Sequence, residues 1–172
     1  MITELILFIS RFVILIAIQV AVLNNIQFSG FVNPFLYISF IMILPVRIPK
    51  ALLLIIAFVT GLLIDVFTDT MGMHAAACIL MAYVRPSLLK LMAPREGYEA
   101  ESYPSVRELG FTWFLIYASA LTFIHHLLLF NIEVFRFSEF FTTLFRVLLS
   151  SFATILLIMI SQYLFGKATR SR

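Results

Sequence analysis

The side chains that could do chemistry are few, and they fall at two places in the sequence. Asp65 and Asp69 are four residues apart between two apolar runs, and His74 follows shortly after them. His125 and His126 are adjacent in a later apolar run. Carboxylates and imidazoles are the groups that serve general acid–base catalysis and bind divalent metals.

Neither use finds support in the spacing. Adjacent positions on a helix point about 100° apart, so His125 and His126 are poorly placed to bind one ion together. The two aspartates have no cluster of further ligands beside them, and no CxxC, HExxH, GxSxG or Gly-rich phosphate loop occurs. The sequence therefore predicts a protein that is not an enzyme and that holds no metal or cofactor.

The composition places these residues in a membrane protein. Of the 172 residues, 62% are hydrophobic and only 12% are charged, whereas soluble domains carry about 25% charged residues. The formal net charge of +3 indicates orientation in a bilayer rather than nucleic-acid binding, because basic residues on membrane proteins mostly set topology. The single cysteine, Cys78, lies in an apolar run and excludes an internal disulfide.

Six apolar stretches are candidates for membrane spans, which need about 17–25 mostly apolar residues each. They cover residues 5–23, 31–46, 51–67, 71–92, 111–130 and 144–165. The stretch 93–108 is the one long polar loop, open to interpretation as a mobile linker or as a cytoplasmic contact. The prediction is a single transmembrane domain over residues 1–172, an all-α bundle of six transmembrane helices.

The basic residues predict the orientation of this bundle. With six spans, one side would carry only Arg136 and Arg146. The other side would carry Arg11, Arg47, Lys50, Arg85, Lys90, Arg95, Arg107, Lys167, Arg170 and Arg172. The positive-inside rule then places both termini in the cytoplasm, with the 24–30, 65–72 and 131–141 turns facing outward.

The turn between the third and fourth spans carries the two aspartates. Asp65 is near the carboxyl end of the third span, where the helix dipole opposes a negative charge. Water in a cavity, N–H groups starting the fourth span, or a donor from a partner protein could each favour it. Locking of the hairpin and contact with a partner therefore both remain open for Asp65, whereas Asp69 is predicted to be the N-cap of the fourth helix.

Small residues mark faces where helices could approach closely. Gly72 and Ala75 would give the fourth helix a smooth face, and Gly61 lies on the same face of the third helix as Asp65. Ala17 and Ala21 form a small-xxx-small pair in the first span. We expect Gly72→Leu to disrupt packing of the fourth helix.

Taken in order, these features resemble the rod shape-determining protein MreD family. Pro34-Phe35-Leu36 opens the second span, Gly61-Leu62-Leu63-Ile64-Asp65 closes the third, and Gly72 and Ala75 follow at similar spacing. The likeness covers the length and span count of the whole chain, and its specific part is Gly61–Ala77. By position, Gly61, Leu62, Asp65 and Gly72 match the family's signature turn.

The resemblance implies a non-enzymatic inner-membrane scaffold of the bacterial elongation machinery. Such proteins bind the single-span protein MreC and through it help couple the MreB filament to the RodA and PBP2 peptidoglycan synthases. The family is also similar in fold to the S-components of energy-coupling-factor vitamin transporters. A solute-binding transporter subunit is therefore the alternative. Its outer polar groups would be Asn24, Asn25, Asp65, Asp69 and His74, and Ala17 and Ala21 would form its docking face.

Overall fold

The computed structural model describes residues 2–25, 32–99, 102–134 and 140–165, and these ranges hold helices and no strand. The α-helices are α1 (Ile2–Ala21), α2 (Ser39–Met42), α3 (Lys50–Thr68), α4 (Met73–Leu91), α5 (Val106–Leu109), α6 (Phe111–Val134) and α7 (Phe140–Phe165). Short 3-10 helices cover Leu23–Asn25 and Leu36–Ile38.

Four of the helical segments are long and apolar enough to cross a bilayer: Ile6–Asn25, Lys50–Thr68, Phe111–Val134 and Phe140–Leu164. Over the described residues they agree with the prediction of an all-helical membrane protein. Helix α4 is 19 residues long but falls outside this group, because His74, Arg85 and Lys90 lower its hydropathy.

The helices pack around a buried aromatic centre. Helix α4 lies between α3 and α6, and α7 packs on the other side of α6. Tyr37, Phe114, Tyr117 and Phe130 are fully buried where these helices meet. Helix α1 contacts this bundle mainly through the 3-10 helix Leu36–Ile38 and α2. Most of its outer side is exposed.

The predicted second span differs most from expectation. Within residues 32–46 only Leu36–Met42 are helical, first as a 3-10 turn and then as the four residues of α2. Pro34 and Pro45 bound this piece, and the interval between them is too short for a helix across the bilayer. The prediction of a spanning helix over 31–46 is therefore wrong for this part of the chain, although the segment itself is buried.

Side chains of α1 and α7 satisfy the irregular backbone at the start of this segment. The Asn33 N–H donates to Ser150 Oγ at 3.1 Å, and the Phe35 N–H donates to Thr154 Oγ1 at 3.0 Å. Gln19 Nε2 donates to the Pro34 carbonyl at 3.1 Å. Non-helical backbone is stable at membrane depth only when protein groups replace the missing hydrogen bonds, and these residues do so.

Arg85 of α4 donates hydrogen bonds to backbone carbonyls at the other end of the 32–46 segment. Its guanidinium is fully buried and donates to the carbonyl oxygens of Met42, Leu44 and Pro45. Its Nε donates to Tyr117 Oη at 2.8 Å. These carbonyls lie at and just beyond the carboxyl end of α2, where the helix dipole is negative. The buried charge is thus met by backbone dipoles and a phenol, with no carboxylate among the described residues paired to it.

The segment runs from one end of the bundle toward the other. Asn33 and Met73 line a common recess at one end, and Pro45 meets Arg85 deeper in the bundle. Met73 and Arg85 are twelve residues apart on α4, a rise of about 18 Å. Residues 33–45 therefore cover much of the bundle's depth without forming one continuous helix.

The polar loop 93–108 is attached to the opposite end. Val46 N–H donates to the Ser102 carbonyl at 3.0 Å, and Tyr98 Oη donates to the Leu89 carbonyl at 2.8 Å. Trp113 Nε1 donates to the Met92 carbonyl at 2.8 Å. Partial burial raises the pKa of the Tyr98 hydroxyl. The described part of the loop is thus hydrogen-bonded to the bundle through Tyr98 and Ser102.

Candidate functional site

Asp65 forms the centre of the α3–α4 hairpin. Its side chain is 3% exposed. Its Oδ1 accepts the N–H of His74 at 3.0 Å, and its Oδ2 accepts the N–H of Ala75 at 2.9 Å. Thr70 Oγ1 also donates to Oδ1, at 2.5 Å. Asp65 therefore caps the first turn of α4 from the neighbouring helix, where free N–H groups and the helix dipole favour a carboxylate.

This geometry favours one of the explanations that the sequence left open. Of the three groups that could favour Asp65, the N–H groups that start the fourth helix are the ones observed. Both carboxylate oxygens accept hydrogen bonds from the same chain, and the side chain is buried. The geometry therefore favours locking of the hairpin over contact with a partner.

Asp69 is not the N-cap that the sequence predicts. It ends α3 as the C-cap, in the left-handed conformation (φ 55°, ψ 34°), and its N–H bonds to the Asp65 carbonyl. The N-cap position of α4 is Gly72, which has no side chain to offer. Only residues 69–72 separate the two helices, and in so tight a turn the cap comes from Asp65 across the hairpin.

The two glycines of the hairpin have different roles. A Cβ placed on Gly61 would lie 2.5 Å from the Cα of Ala75 and 2.6 Å from the His74 carbonyl, so only glycine lets α3 and α4 touch here. A Cβ on Gly72 would meet nothing within 4 Å, but its φ of +82° favours glycine. Gly72 therefore shapes the turn, and the packing role predicted for it belongs to Gly61.

We call Gly61, Asp65, Thr70, His74 and Ala75 the hairpin lock. The remaining predicted residues lie outside it. Leu62 is 42% exposed, and Ala17 and Ala21 are exposed on α1.

A chain of buried polar groups continues from the lock into the bundle. His74 Nδ1 and Tyr37 Oη are 2.9 Å apart, and Tyr37 Oη is 2.9 Å from His125 Nε2. Cys78 Sγ donates to the same Tyr37 oxygen at 3.8 Å. Tyr37 thus links its own 3-10 helix to α4 and α6 through one hydroxyl, a role that nothing in the sequence pattern pointed to.

His126 has a separate set of partners. Its Nδ1 donates to the Thr122 carbonyl at 2.9 Å, which leaves Nε2 to accept from Thr154 Oγ1 at 3.1 Å. Thr154 Oγ1 in turn accepts the Phe35 N–H. A neutral imidazole satisfies both bonds of His126, and the two adjacent histidines face different partners. The described residues hold no group of three or more His, Cys, Asp or Glu side chains that could bind a metal.

A recess of about 280 Å³ opens beside the hairpin lock. Its walls come from α1, the 33–35 backbone, the α3–α4 turn and the facing ends of α6 and α7. The lining residues are Gln19, Leu23, Asn24, Asn33, Pro34, Phe35, Thr68, Thr70, Met73, His74, Leu129, Glu133 and Arg146. Residues that flank all three predicted outer turns therefore meet at one end of the bundle.

Fold and site together define a helical membrane protein whose buried polar groups are mostly satisfied within its own bundle. Comparison of the chain with protein-family models, curated proteins and solved structures found no match. A functional assignment therefore depends on these residues and their geometry.

Proposed function

We propose that this chain is a non-enzymatic scaffold of the bacterial elongation (rod) complex, related to the MreD family. The observation that carries the proposal is that the resemblance and the hairpin lock coincide. Gly61 touches the Ala75 backbone, and Asp65 caps the first turn of α4. Residues spread over the run Gly61–Ala77 thus pack and hydrogen-bond together. This is expected of a turn that a family's fold requires.

In this proposal the lock fixes two helices, and other surfaces bind the partner. The partner is an MreC-like single-span protein, whose transmembrane helix would pack on the exposed face of α1. Ser10, Ile14, Ala17 and Ala21 follow the 3- and 4-residue spacing of a helix seam. Small side chains in a seam let a second helix approach closely in lipid.

The proposed setting is the bacterial inner membrane, with six crossings and both termini in the cytoplasm. Residues 32–46 would provide the second crossing in spite of their irregular backbone. The described basic residues at the end of the bundle away from the recess, among them Arg47, Lys90 and Arg95, would face the cytoplasm. The fold would then be similar to transporter S-components, and the link to MreB, RodA and PBP2 would be indirect, through the MreC-like partner.

Co-purification tests the scaffold function. The tagged full chain, solubilised from bacterial membranes in mild detergent, should recover an MreC-like protein. Ala17→Leu with Ala21→Leu should abolish that recovery, whereas Leu148→Ala on the exposed face of α7 should not. Recovery of transporter ATPase subunits instead, or unchanged recovery by the double variant, would contradict the proposal.

The recess favours a second candidate, a solute-binding transporter subunit. Concave sites with a few convergent polar groups are typical of small-molecule binding, and Asn24 and His74, two of the residues predicted for that role, line the recess. Stabilisation of the purified chain by one compound of a vitamin panel would support this candidate over the scaffold.

A further inference from the structure

A groove between α3 and α4 lies at the end of the bundle away from the recess. Its volume is about 170 Å³, and its lining is Lys50, Leu53, Leu54, Ala82, Tyr83, Pro86 and Ser87. Sites for drug-sized ligands measure about 300–1,000 Å³. The groove is therefore too small for a whole solute and suits one part of a longer molecule.

Pro86 gives a physical reason for the gap between the two helices. It lies within α4 and has no N–H to donate to the carbonyl of Ala82, four residues earlier, which its ring also crowds. The helices touch where Gly61 meets Ala75. They leave a groove where Pro86 interrupts the hydrogen-bond ladder of α4.

The groove lies at the level where a bilayer changes from hydrocarbon to headgroups. Lys50 is the first residue of α3, one of the helices able to span a membrane, and Ser87 is four residues from the end of α4. Leu52 and Ile55, next to the groove in α3, are exposed apolar side chains that contact hydrocarbon in a bilayer. The groove is therefore filled from the bilayer.

The polar side chains at the groove are accessible to a lipid headgroup. Lys50, Tyr83 and Ser87 are exposed, and among the described residues none of the three has a hydrogen-bond or ion-pair partner. Tyr83 and Ser87 are four residues apart and so share one face of α4. The ammonium of Lys50 ends a flexible four-carbon chain, which lets it reach a phosphate at the mouth of the groove.

The charge of the lining selects among headgroups. The described lining carries one positive charge, on Lys50, and no carboxylate. A phosphodiester headgroup with one net negative charge complements it. A zwitterionic headgroup brings its own ammonium, which competes with Lys50 for the phosphate and finds no carboxylate in the lining. The charges therefore favour an anionic phospholipid.

We propose that this groove binds one anionic phospholipid, whose phosphate accepts hydrogen bonds from the Lys50 ammonium and the Ser87 hydroxyl. One acyl chain runs over Leu53 and Ala82, with the Tyr83 ring as a side wall. The inference concerns this groove and depends neither on the scaffold function nor on the recess. A failed co-purification would leave it standing, and its own failure would leave the scaffold proposal standing.

The test is thermal unfolding of the delipidated full chain in a neutral detergent, titrated with phosphatidylglycerol. The unfolding temperature should rise and then saturate. Phosphatidylcholine with the same acyl chains should need a mole fraction about tenfold higher or more, and glycerol 3-phosphate, which has no acyl chains, should have no effect.

Three results would overturn the proposal. They are no stabilisation by phosphatidylglycerol, equal stabilisation by phosphatidylcholine, and equal stabilisation by glycerol 3-phosphate. Stabilisation that follows protein concentration and not lipid would also overturn it, because it would place a second copy of the chain in the groove.

Two variants with matched controls locate the lipid. Lys50→Gln removes the charge and Tyr83→Ala removes the side wall. Each should raise the phosphatidylglycerol needed for half-maximal stabilisation by about fivefold or more. Lys90→Gln removes the same charge from an exposed position outside the groove, and Tyr163→Ala removes an exposed ring of α7. Both controls should leave the titration unchanged.

The controls separate a defined site from general attraction. Equal shifts from Lys50→Gln and Lys90→Gln would mean that net charge alone attracts the lipid, and would refute the site. Should Lys50→Gln fail to fold, the comparison of Tyr83→Ala with Tyr163→Ala decides, and equal titrations of those two variants would refute the assignment.

Discussion

At the scale of single residues, the two aspartates of the hairpin contribute very differently to the free energy of unfolding. Removing the Asp65 carboxylate leaves the N–H groups of His74 and Ala75 and the Thr70 hydroxyl without their acceptor. Hydrogen bonds to a charged group contribute about 1.5–3 kcal/mol each, and they are not additive. We expect Asp65→Ala to lower the free energy of unfolding by about 3 kcal/mol, measured by denaturant titration in micelles.

The matched comparison is Asp69→Ala. Asp69 is exposed, and its contribution is limited to tolerating a positive φ, so alanine there should cost only about 1 kcal/mol. Asp69→Gly should cost nothing. Equal losses from Asp65→Ala and Asp69→Ala would show that the cap described for Asp65 is not what stabilises the hairpin.

The glycines allow a second residue-scale prediction. Asparagine tolerates the left-handed conformation that Gly72 adopts, so Gly72→Asn should change stability by less than about 1 kcal/mol. Gly61→Asn would force a side chain into the Ala75 backbone and should cost about 3 kcal/mol or more. Thermal unfolding of the two variants side by side checks this, and a larger loss from Gly72→Asn would contradict it.

The sequence located the acid that needs compensation but not the cap itself. The helix dipole argument identified Asp65 as the carboxylate requiring donors, and the first N–H groups of the next helix were among those considered. The sequence could not supply the position of α4 relative to α3, which the contact of Gly61 with Ala75 sets. Capping was therefore assigned by sequence proximity to Asp69, whereas the donors are nine and ten residues from Asp65.

At the scale of elements, the sequence predicted the long helices well and the 32–46 segment poorly. Hydropathy reports that a segment is apolar, and this segment is apolar and buried. Hydropathy does not report whether the backbone N–H and C=O groups of a segment form hydrogen bonds with one another. Here Gln19, Arg85 and Thr154 bond to these groups from three different helices, and no local pattern predicts bonds across such sequence separations.

Arg85 should therefore control the stability of this element. Arg85→Ala would leave the carbonyls of Met42, Leu44 and Pro45 without their donor, and the segment should open more often. Cys78 reports on this, because its buried thiol contacts Tyr37 of the same segment. We expect a small membrane-permeant thiol reagent to label Cys78 at least tenfold faster in Arg85→Ala, a factor that corresponds to about 1.4 kcal/mol.

Lys90→Ala is the control for that measurement. Lys90 lies in the last turn of the same helix but is exposed, so its removal should leave the labelling rate of Cys78 unchanged. Equal acceleration by both variants would indicate general loosening of α4 instead of release of the segment.

At the scale of the whole molecule, the recess and the anchored polar loop lie at opposite ends of the bundle. If the basic end faces the cytoplasm, a cysteine at Asn25 should react with a membrane-impermeant maleimide in intact spheroplasts. A cysteine at Arg95 should react only after permeabilisation. Both positions are exposed, and both would be tested with Cys78 replaced by alanine. The reverse pattern would invert the proposed topology.

The class of the molecule could be predicted from composition alone, because a chain with so few charges cannot stay in water as a folded domain. Residues that flank the three predicted outer turns lie at one end of the bundle, which agrees with the alternation of the predicted spans. The recess could not be predicted, since its lining comes from residues as far apart in the sequence as Asn24 and Arg146.

The irregular segment also constrains how the protein is made. The hydroxyl that accepts the Phe35 N–H belongs to Thr154, 119 residues later in the chain. While the ribosome is still synthesising the last helix, that amide has no permanent partner and the segment cannot settle in hydrocarbon. Nascent chains should therefore hold this piece at the translocon or under an insertase until synthesis is nearly complete. Products that stop before α7 should become substrates for membrane quality-control proteases.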